Sequence, residues 1–460
     1  PGSAYDFDNA ADVTLNVTAA ETVKFNKGTI TNAGTMKVTG AQGVTVGKEV
    51  SIANTGDLTF TDTEAVNFKA DYTATAGRLF IESKANTISG NITADSLKFG
   101  TRITDSDTAK ETNQVVITGT TSNTIAYGST VDVKALTVED VATTINGTLK
   151  AATTAVTDKT TAGLTVADTT GTTGKMQYAA VSLGDITVGS AASGATNGAS
   201  FTLTNNSTEN AVEASSLTVV KNTNASTFTL ADGDFSVGKL TNQGNVILTD
   251  GEFSLTGEGS NASDAKITLA ASNTDASLVV AEGASLQNQG TITANDGEGK
   301  IFVGGTLTNL PKIASTSTTK EVPAGTIKAA AVEVDGVLST ALDTTYDVAE
   351  TTINTAGELQ TKLNARLDGV AVADQKPADA LEIAKTITLE GKITAAGTEV
   401  PNYIVNATGG AFTIKEADKT FNNVQVKAGE FKTDDADVTL SVLEVKEAGT
   451  ATVDSGTLNV

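Results

Sequence analysis

Histidine, cysteine and tryptophan are absent from this 460-residue sequence, and arginine occurs only at Arg78, Arg102 and Arg366. Without histidine the chain lacks the side chain that most often serves as a general base near neutral pH. Without cysteine it has no thiol nucleophile, no thiolate metal ligand and no disulfide framework from which a redox compartment could be read. No apolar run reaches the roughly 18 residues of a membrane helix, so no span is expected. Basic residues are few: 31 Lys and Arg stand against 54 Asp and Glu, a formal net charge of −23. Phosphate recognition needs a basic face, so nucleic acid is not an expected partner. Only five prolines interrupt the backbone, which leaves strand ladders free to form. No signal peptide is visible, and Pro1 is compatible with a terminus from which a leader has been removed.

What the sequence does contain is a recurring Asn-x-Gly followed by alternating apolar residues. It occurs as Asn32-Ala-Gly34, Asn54-Thr-Gly56, Asn242-Gln-Gly244 and Asn288-Gln-Gly290. Gly34 and Gly56 are 22 residues apart, and Gly244 and Gly290 are 46 apart, or two steps of 23. A turn plus short strands at a near-constant step is the pattern of a stacked-coil solenoid, whose core grows along one axis. Asn and Gly suit the left-handed conformation expected at a tight coil corner. Stacked Asn side chains also form ladders along such an axis.

Short β-branched runs fill most of the chain between these turns. Val13–Val17, Leu58–Phe60, Phe201–Leu203, Phe228–Leu230 and Leu278–Val280 are examples, each bounded by Gly, Asn, Asp or Ser. Leu58, Phe60, Val246, Leu248, Ile292 and Leu307 are expected to point inward. Segments 105–115 and 152–178 read as loops protruding from the coils. Near residue 350 the pattern changes. Thr355-Ala-Gly-Glu358 reads as a capping box, with Leu359, Leu363 and Leu367 on one helical face. A weaker helical stretch is expected after Pro377, at Ala380, Leu381 and Ala384. Strands then resume at Thr386, Ala411 and Phe421.

The segment 350–460 resembles the start of a right-handed parallel β-helix of the pectate-lyase-like superfamily. The resemblance rests on the expected helix Gly357 to Leu367 and on Ile387-Thr-Leu-Glu-Gly391. The first 345 residues resemble, in composition and coil length, the solenoid passengers of bacterial autotransporters, adhesins and surface-layer proteins. The expected fold is all-β, a parallel β-solenoid in two segments with a short helical cap between them. Its divisions are an N-terminal strand at 1–17, a solenoid at 18–345 and a helix-capped second β-helix at 346–460.

Acidic pairs are the constellations that offer chemistry: Asp6 and Asp8, Asp105 and Asp107, Asp232 and Asp234, and the trio Asp434, Asp435 and Asp437. Asp-x-Asp in a turn presents hard oxygens to Ca²⁺. Solubilising charge at turns and edges is the competing reading, because none of the pairs continues into a complete calcium loop. No other cofactor is expected. Gly257-Glu-Gly259-Ser-Asn-Ala262 loosely matches a dinucleotide fingerprint, but no helix follows to give it meaning. Several Asn-x-Ser/Thr sites, Asn16 and Asn146 among them, are expected from composition alone.

Ala11-Asp-Val13-Thr-Leu15-Asn-Val17 nearly repeats as Ala436-Asp-Val-Thr-Leu-Ser-Val442. The two are ordinary coil strands, or the first is a donor strand that pairs with a neighbouring copy through Val13, Leu15 and Val17. The leading functional expectation is a non-enzymatic structural subunit of a bacterial extracellular surface layer or filament, with itself as partner. The alternative is an adhesin or autotransporter-like passenger that binds a cell-surface glycan or protein. A polysaccharide lyase is a third reading, weakened because no arginine adjoins a dense Asp cluster.

Overall fold

The computed structural model describes the chain from residue 6 to residue 460 apart from 101–112, 127–128, 140–141, 147, 157–162, 167–179, 190–197, 205–211, 222–223, 271–275, 295–298, 316–320, 341–343, 362–378 and 417. Among the described residues every regular element is a β-strand and no helix occurs. The chain groups into two compact units, Pro1–Phe235 and Ser236–Val460, and each is a parallel β-solenoid.

In the first unit, Thr14–Thr18 stacks on Thr35–Gly40, which stacks on Asp57–Asp62, which stacks on the start of Arg78–Ile88, all parallel. The longer strand Val23–Asn32 pairs with Val44–Asn54 with one register shift, so each coil bends there. Strand period sets the interior. Residues alternate inward and outward, so Met36, Val38, Leu58 and Phe60 meet beneath one another with no exposure. Edge-to-face phenyl contacts join successive coils, with ring centroids 5.3 Å apart for Phe7 and Phe25 and 5.5 Å for Phe201 and Phe228.

The second unit repeats the scheme. Asn245–Leu248, Lys266–Leu269, Thr291–Ala294 and Thr326–Val334 stack in parallel on one side. Val246, Leu248, Ile292 and Leu307 are fully buried, as the alternation requires. Tyr403, Phe412, Phe421 and Phe431 form its aromatic stack. Among the described residues two antiparallel pairings interrupt the parallel order of this unit, the isolated bridge between Ile313 and Val322 and the hairpin between Lys392–Ala395 and Thr398–Glu399. Ala396 and Gly397 both have positive φ there, as the twist of a two-residue hairpin demands.

The loops expected at 105–115 and 152–178 are cut by the strands Gln114–Ile125, Thr148–Val156 and Gly163–Val166. Two further expectations are overturned. The first is the helical cap and the two-segment fold class built on it. Glu358–Thr361 is a strand, paired in parallel with Val337–Thr340 before it and Lys392–Ala395 after it. Leu359 is buried between Leu338 and Ile393, its partners in the ladder. Leu363 and Leu367 lie outside the described residues. Ala380–Ile383, the second expected helix, is also a strand, with all four residues buried. Thr326–Val334 pairs with Thr345–Ile353, which pairs with Thr386–Leu389, so one ladder runs through residue 345 without a break. The physical reason is that one coil side is only about four residues long. Leu359 then satisfies a strand as readily as the first turn of a helix, and the ladder hydrogen bonds decide.

The second correction concerns the turn glycines. Gly34, Gly56 and Gly290 do not adopt the left-handed conformation. They are needed because successive corners nearly touch. A Cβ at Gly56 would lie 2.0 Å from the carbonyl oxygen of Gly34, and one at Gly290 would lie 2.3 Å from that of Ala262.

Candidate functional site

The most organised polar feature in each unit is a buried asparagine ladder at the coil corners. In the first unit Asn9 Nδ2 donates to Asn32 Oδ1 at 2.8 Å, and Asn32 Nδ2 to Asn54 Oδ1 at 2.7 Å. Asn54 Nδ2 ends the run on the Tyr72 hydroxyl at 3.2 Å and the Arg78 carbonyl at 2.9 Å. Burial pushes the Tyr72 hydroxyl above its ordinary pKa, with the Asn54 hydrogen bond opposing that shift. In the second unit Asn242, Asn261, Asn288 and Asn309 link by three bonds of 2.8 Å each. Every Nδ2 in that run also donates to a backbone carbonyl of the following coil: Lys266, Thr291, Thr326 and Thr345 respectively.

The ladder has a direction. An amide has two donors and an acceptor oxygen, and at each link the nitrogen donates to the next coil's asparagine oxygen, while Asn242 Oδ1, at the start of its run, accepts the Gly244 amide of its own turn. Four of these asparagines open an Asn-x-Gly motif. Asn9, Asn261 and Asn309 do not, and neither do Asn86 and Asn123, which make a separate rung at 2.9 Å. Their signal in the sequence is weaker: Asn9, Asn261 and Asn309 end alternating strands, and Asn86 and Asn123 stand two residues before a strand end.

Coil edges are the second feature. Among the described residues Thr14–Thr18 pairs on one side only, with Thr35–Thr39. Leu15 and Val17 there are half-buried, and Val13 is 47% exposed. In the second unit Ala436–Thr439 pairs with Gly456–Asn459, and its Val438 and Thr439 pair on the other side with Lys419 and Thr420. From Val442 to Val453 the same strand pairs on one side only. Leu443 and Val445 stand over buried Val424 and Val426, and Ala451 and Val453 over buried Phe431 and Thr433. Val445 and Val453 are half exposed as a result, while Val442 is exposed because it points outward beside Asn423.

The acidic candidates do not converge. Asp6 Oδ1 accepts the Thr29 amide at 2.9 Å. Asp8 points outward from its strand. Asp105 and Asp107 lie outside the described residues, as does Arg102. Asp232 is half-buried at a strand end, while Asp234 is exposed and its carbonyl accepts the Val212 amide. Asp434 Oδ1 accepts from the Ser455 hydroxyl at 3.4 Å, and the Asp435 amide donates to that same hydroxyl at 2.5 Å. Asp435 has φ 56°, a corner conformation that aspartate tolerates. Asp437 points outward one strand position later. Among the described residues no three acidic side chains gather as a metal site would require.

Two of the resolved charged contacts join neighbouring coils. Arg78 clamps Asp57 through two bonds of 2.8 and 2.5 Å across neighbouring coils, with its guanidinium 5.3 Å from the Phe80 ring. Glu358 accepts the Thr394 hydroxyl at 2.7 Å and faces Lys392 Nζ at 3.0 Å; the two together hold its carboxyl below the ordinary range. A groove of about 550 Å³ in the second unit is lined mainly by small residues, Gly409, Gly410, Ala428, Gly429 and Ala448 among them, with Glu430 as its charged member. No family model matches the sequence, and neither the curated proteins nor the solved structures contain a match to it.

Proposed function

We propose that this chain is a structural subunit that associates with copies of itself through the edges of its coils, in an assembly outside the bacterial cell. The observation that carries this reading is the match between the two one-sided edges. The core-facing row Leu15 and Val17 has the same Leu-x-Val spacing as Leu443 and Val445. The next side offers Val23 and Phe25 on one edge and the smaller Ala451 and Val453 on the other. Parallel strand addition would continue the ladder and cover both rows, with the 436–439 position already taken by Gly456–Asn459. Because the edges differ, the contact is heterologous and generates an open chain of subunits.

The buried polar side chains favour the same reading. The asparagine ladders among them hold coil to coil. Net charge −23 opposes association, so divalent cations that screen or bridge carboxylates should promote it. Electron microscopy and sedimentation of the 460-residue chain, with and without Ca²⁺, test the reading. Filaments or sheets are expected, and Val17→Glu or Val445→Glu should abolish them while leaving the β-sheet circular dichroism unchanged. Monodisperse chains at high concentration in Ca²⁺ would refute self-assembly and favour the adhesin reading.

A further inference from the structure

One flat side of the first unit carries an unbroken column of threonines. Thr87, Thr124, Thr144, Thr165, Thr202 and Thr229 are successive ladder partners, each half-buried and pointing outward. No register shift interrupts the pairing from Ala85 to Leu230 at these positions, although two of the steps bridge more than 30 residues of sequence. Beneath the column lie Ile88, Ile125, Ile145, Val166, Leu203 and Leu230, fully buried and one residue further along. The outward column two residues earlier holds only alanine, serine, glycine and threonine, from Ala85 to Thr227.

Charge makes this side unusual. The chain is 18% charged, yet neither outward column contains a charged residue. The unit's other sides do: Asp132 stacks on Lys150, and Lys98 and Asp185 point outward from a third side. Two copies at −23 each repel wherever carboxylates face one another. On this side they meet without that cost. Threonine hydroxyls are donors and acceptors at once, so the column is complementary to a second copy of itself. Aromatic platforms of the kind a sugar ring stacks on are missing from it.

We propose that the threonine face is the lateral contact between neighbouring copies of this chain, the contact that joins filaments side by side. The proposal rests on the self-assembly reading above. Its strength follows from area. Six coils at about 4.8 Å and strands of about four residues give a face of about 400 Å² per copy, half the per-partner area of a standard stable interface. An isolated pair is therefore weak. Repeated at every subunit of a filament, the same contact holds through avidity.

The test uses the full-length chain and its variants Thr144→Cys and Thr165→Lys/Thr202→Lys. Wild-type filaments should bundle or form sheets. The double lysine variant should give single filaments of normal length, because coil-edge contacts are untouched. Since the chain has no other cysteine, Thr144→Cys should give an oxidised covalent dimer in several-fold higher yield within filaments than Thr218→Cys, which sits on another side. Lysine-variant filaments that bundle like wild type, or equal cross-linking of the two cysteine variants, would overturn the lateral contact and leave self-assembly standing. Wild-type chains that stay single and instead sediment with an insoluble neutral polysaccharide would also overturn it. Absence of any polymer would remove both readings together.

Discussion

Replacing Asn288 by alanine removes the centre of the second unit's ladder, and the structure sets the cost. Three hydrogen bonds disappear: from Asn261 Nδ2 at 2.8 Å, to Asn309 Oδ1 at 2.8 Å and to the Thr326 carbonyl at 3.1 Å. At about 1 kcal/mol net each they contribute about 3 kcal/mol. Asn261 Nδ2 keeps the Thr291 carbonyl, but Asn309 Oδ1 loses its donor in a site with no solvent exposure. An orphaned buried acceptor adds about 1–3 kcal/mol, for a total of about 4–6 kcal/mol. That loss is comparable with the whole stability of many domains, about 5–15 kcal/mol. Guanidinium unfolding followed by circular dichroism measures it, and amide exchange at residues 285–309 locates it. Asn288→Asp sharpens the test. The introduced carboxylate would face Asn309 Oδ1 while buried, so its folded pKa rises above the unfolded value of about 3.9. The variant's deficit against wild type should therefore be smallest below about pH 4, where the protonated acid restores one of the amide's two donations, and grow as pH rises. A loss of under about 1 kcal/mol for Asn288→Ala, the scale of one exposed bond, or a pH-independent deficit for Asn288→Asp, would refute a directional ladder.

Other perturbations test the same physics elsewhere. Thr154 has a buried hydroxyl without a partner among apolar neighbours such as Leu136 and Ile186, its ladder partners. Thr154→Val should stabilise the chain by about 1 kcal/mol, read as a higher denaturation midpoint; destabilisation would mean the hydroxyl is bonded after all. Gly56→Ala places a methyl 2.0 Å from the Gly34 carbonyl oxygen and should cost at least about 2 kcal/mol, although φ at Gly56 is ordinary; a neutral effect in thermal melts would show that the corners separate freely. Glu358 has a depressed pKa, from the Thr394 hydrogen bond first and Lys392 with it, so its contribution is present above the unfolded value and lost as pH falls through the folded one. Glu358→Gln should accordingly lower stability at pH 7, with a deficit that shrinks as pH falls through the folded pKa; a deficit of constant size down into acid would point to packing as the cause. Arg78→Lys should weaken the coil contact by about 1–2 kcal/mol, because a lysine cannot span both Asp57 oxygens, and a double-mutant cycle with Asp57→Asn should show coupling.

The sequence by itself determined the class of fold and much of its interior. Period-two alternation dictates which residues turn inward, and Leu58, Phe60 and Leu307 are buried for that reason. The Asn-x-Gly step dictates a corner that recurs each coil, because only a coil brings residues 22 apart into register, as Asn32 and Asn54 are. Tertiary structure decided what depends on which strands become neighbours. The step from one asparagine to the next reaches 37 residues in the separate rung of Asn86 and Asn123, so full membership of the asparagine ladders and the threonine column are invisible to a fixed period. Glu358–Thr361 reads locally as a helix start, yet the two flanking strands offer its backbone a complete ladder and make it the next coil. The turn glycines were legible, but their reason was not: close approach of one corner to the next exists only after stacking. The acidic pairs Asp6 with Asp8 and Asp232 with Asp234 were equally legible, yet their outward and corner positions were not. Side-chain direction in a strand is local, whereas convergence on a common site depends on how coils stack.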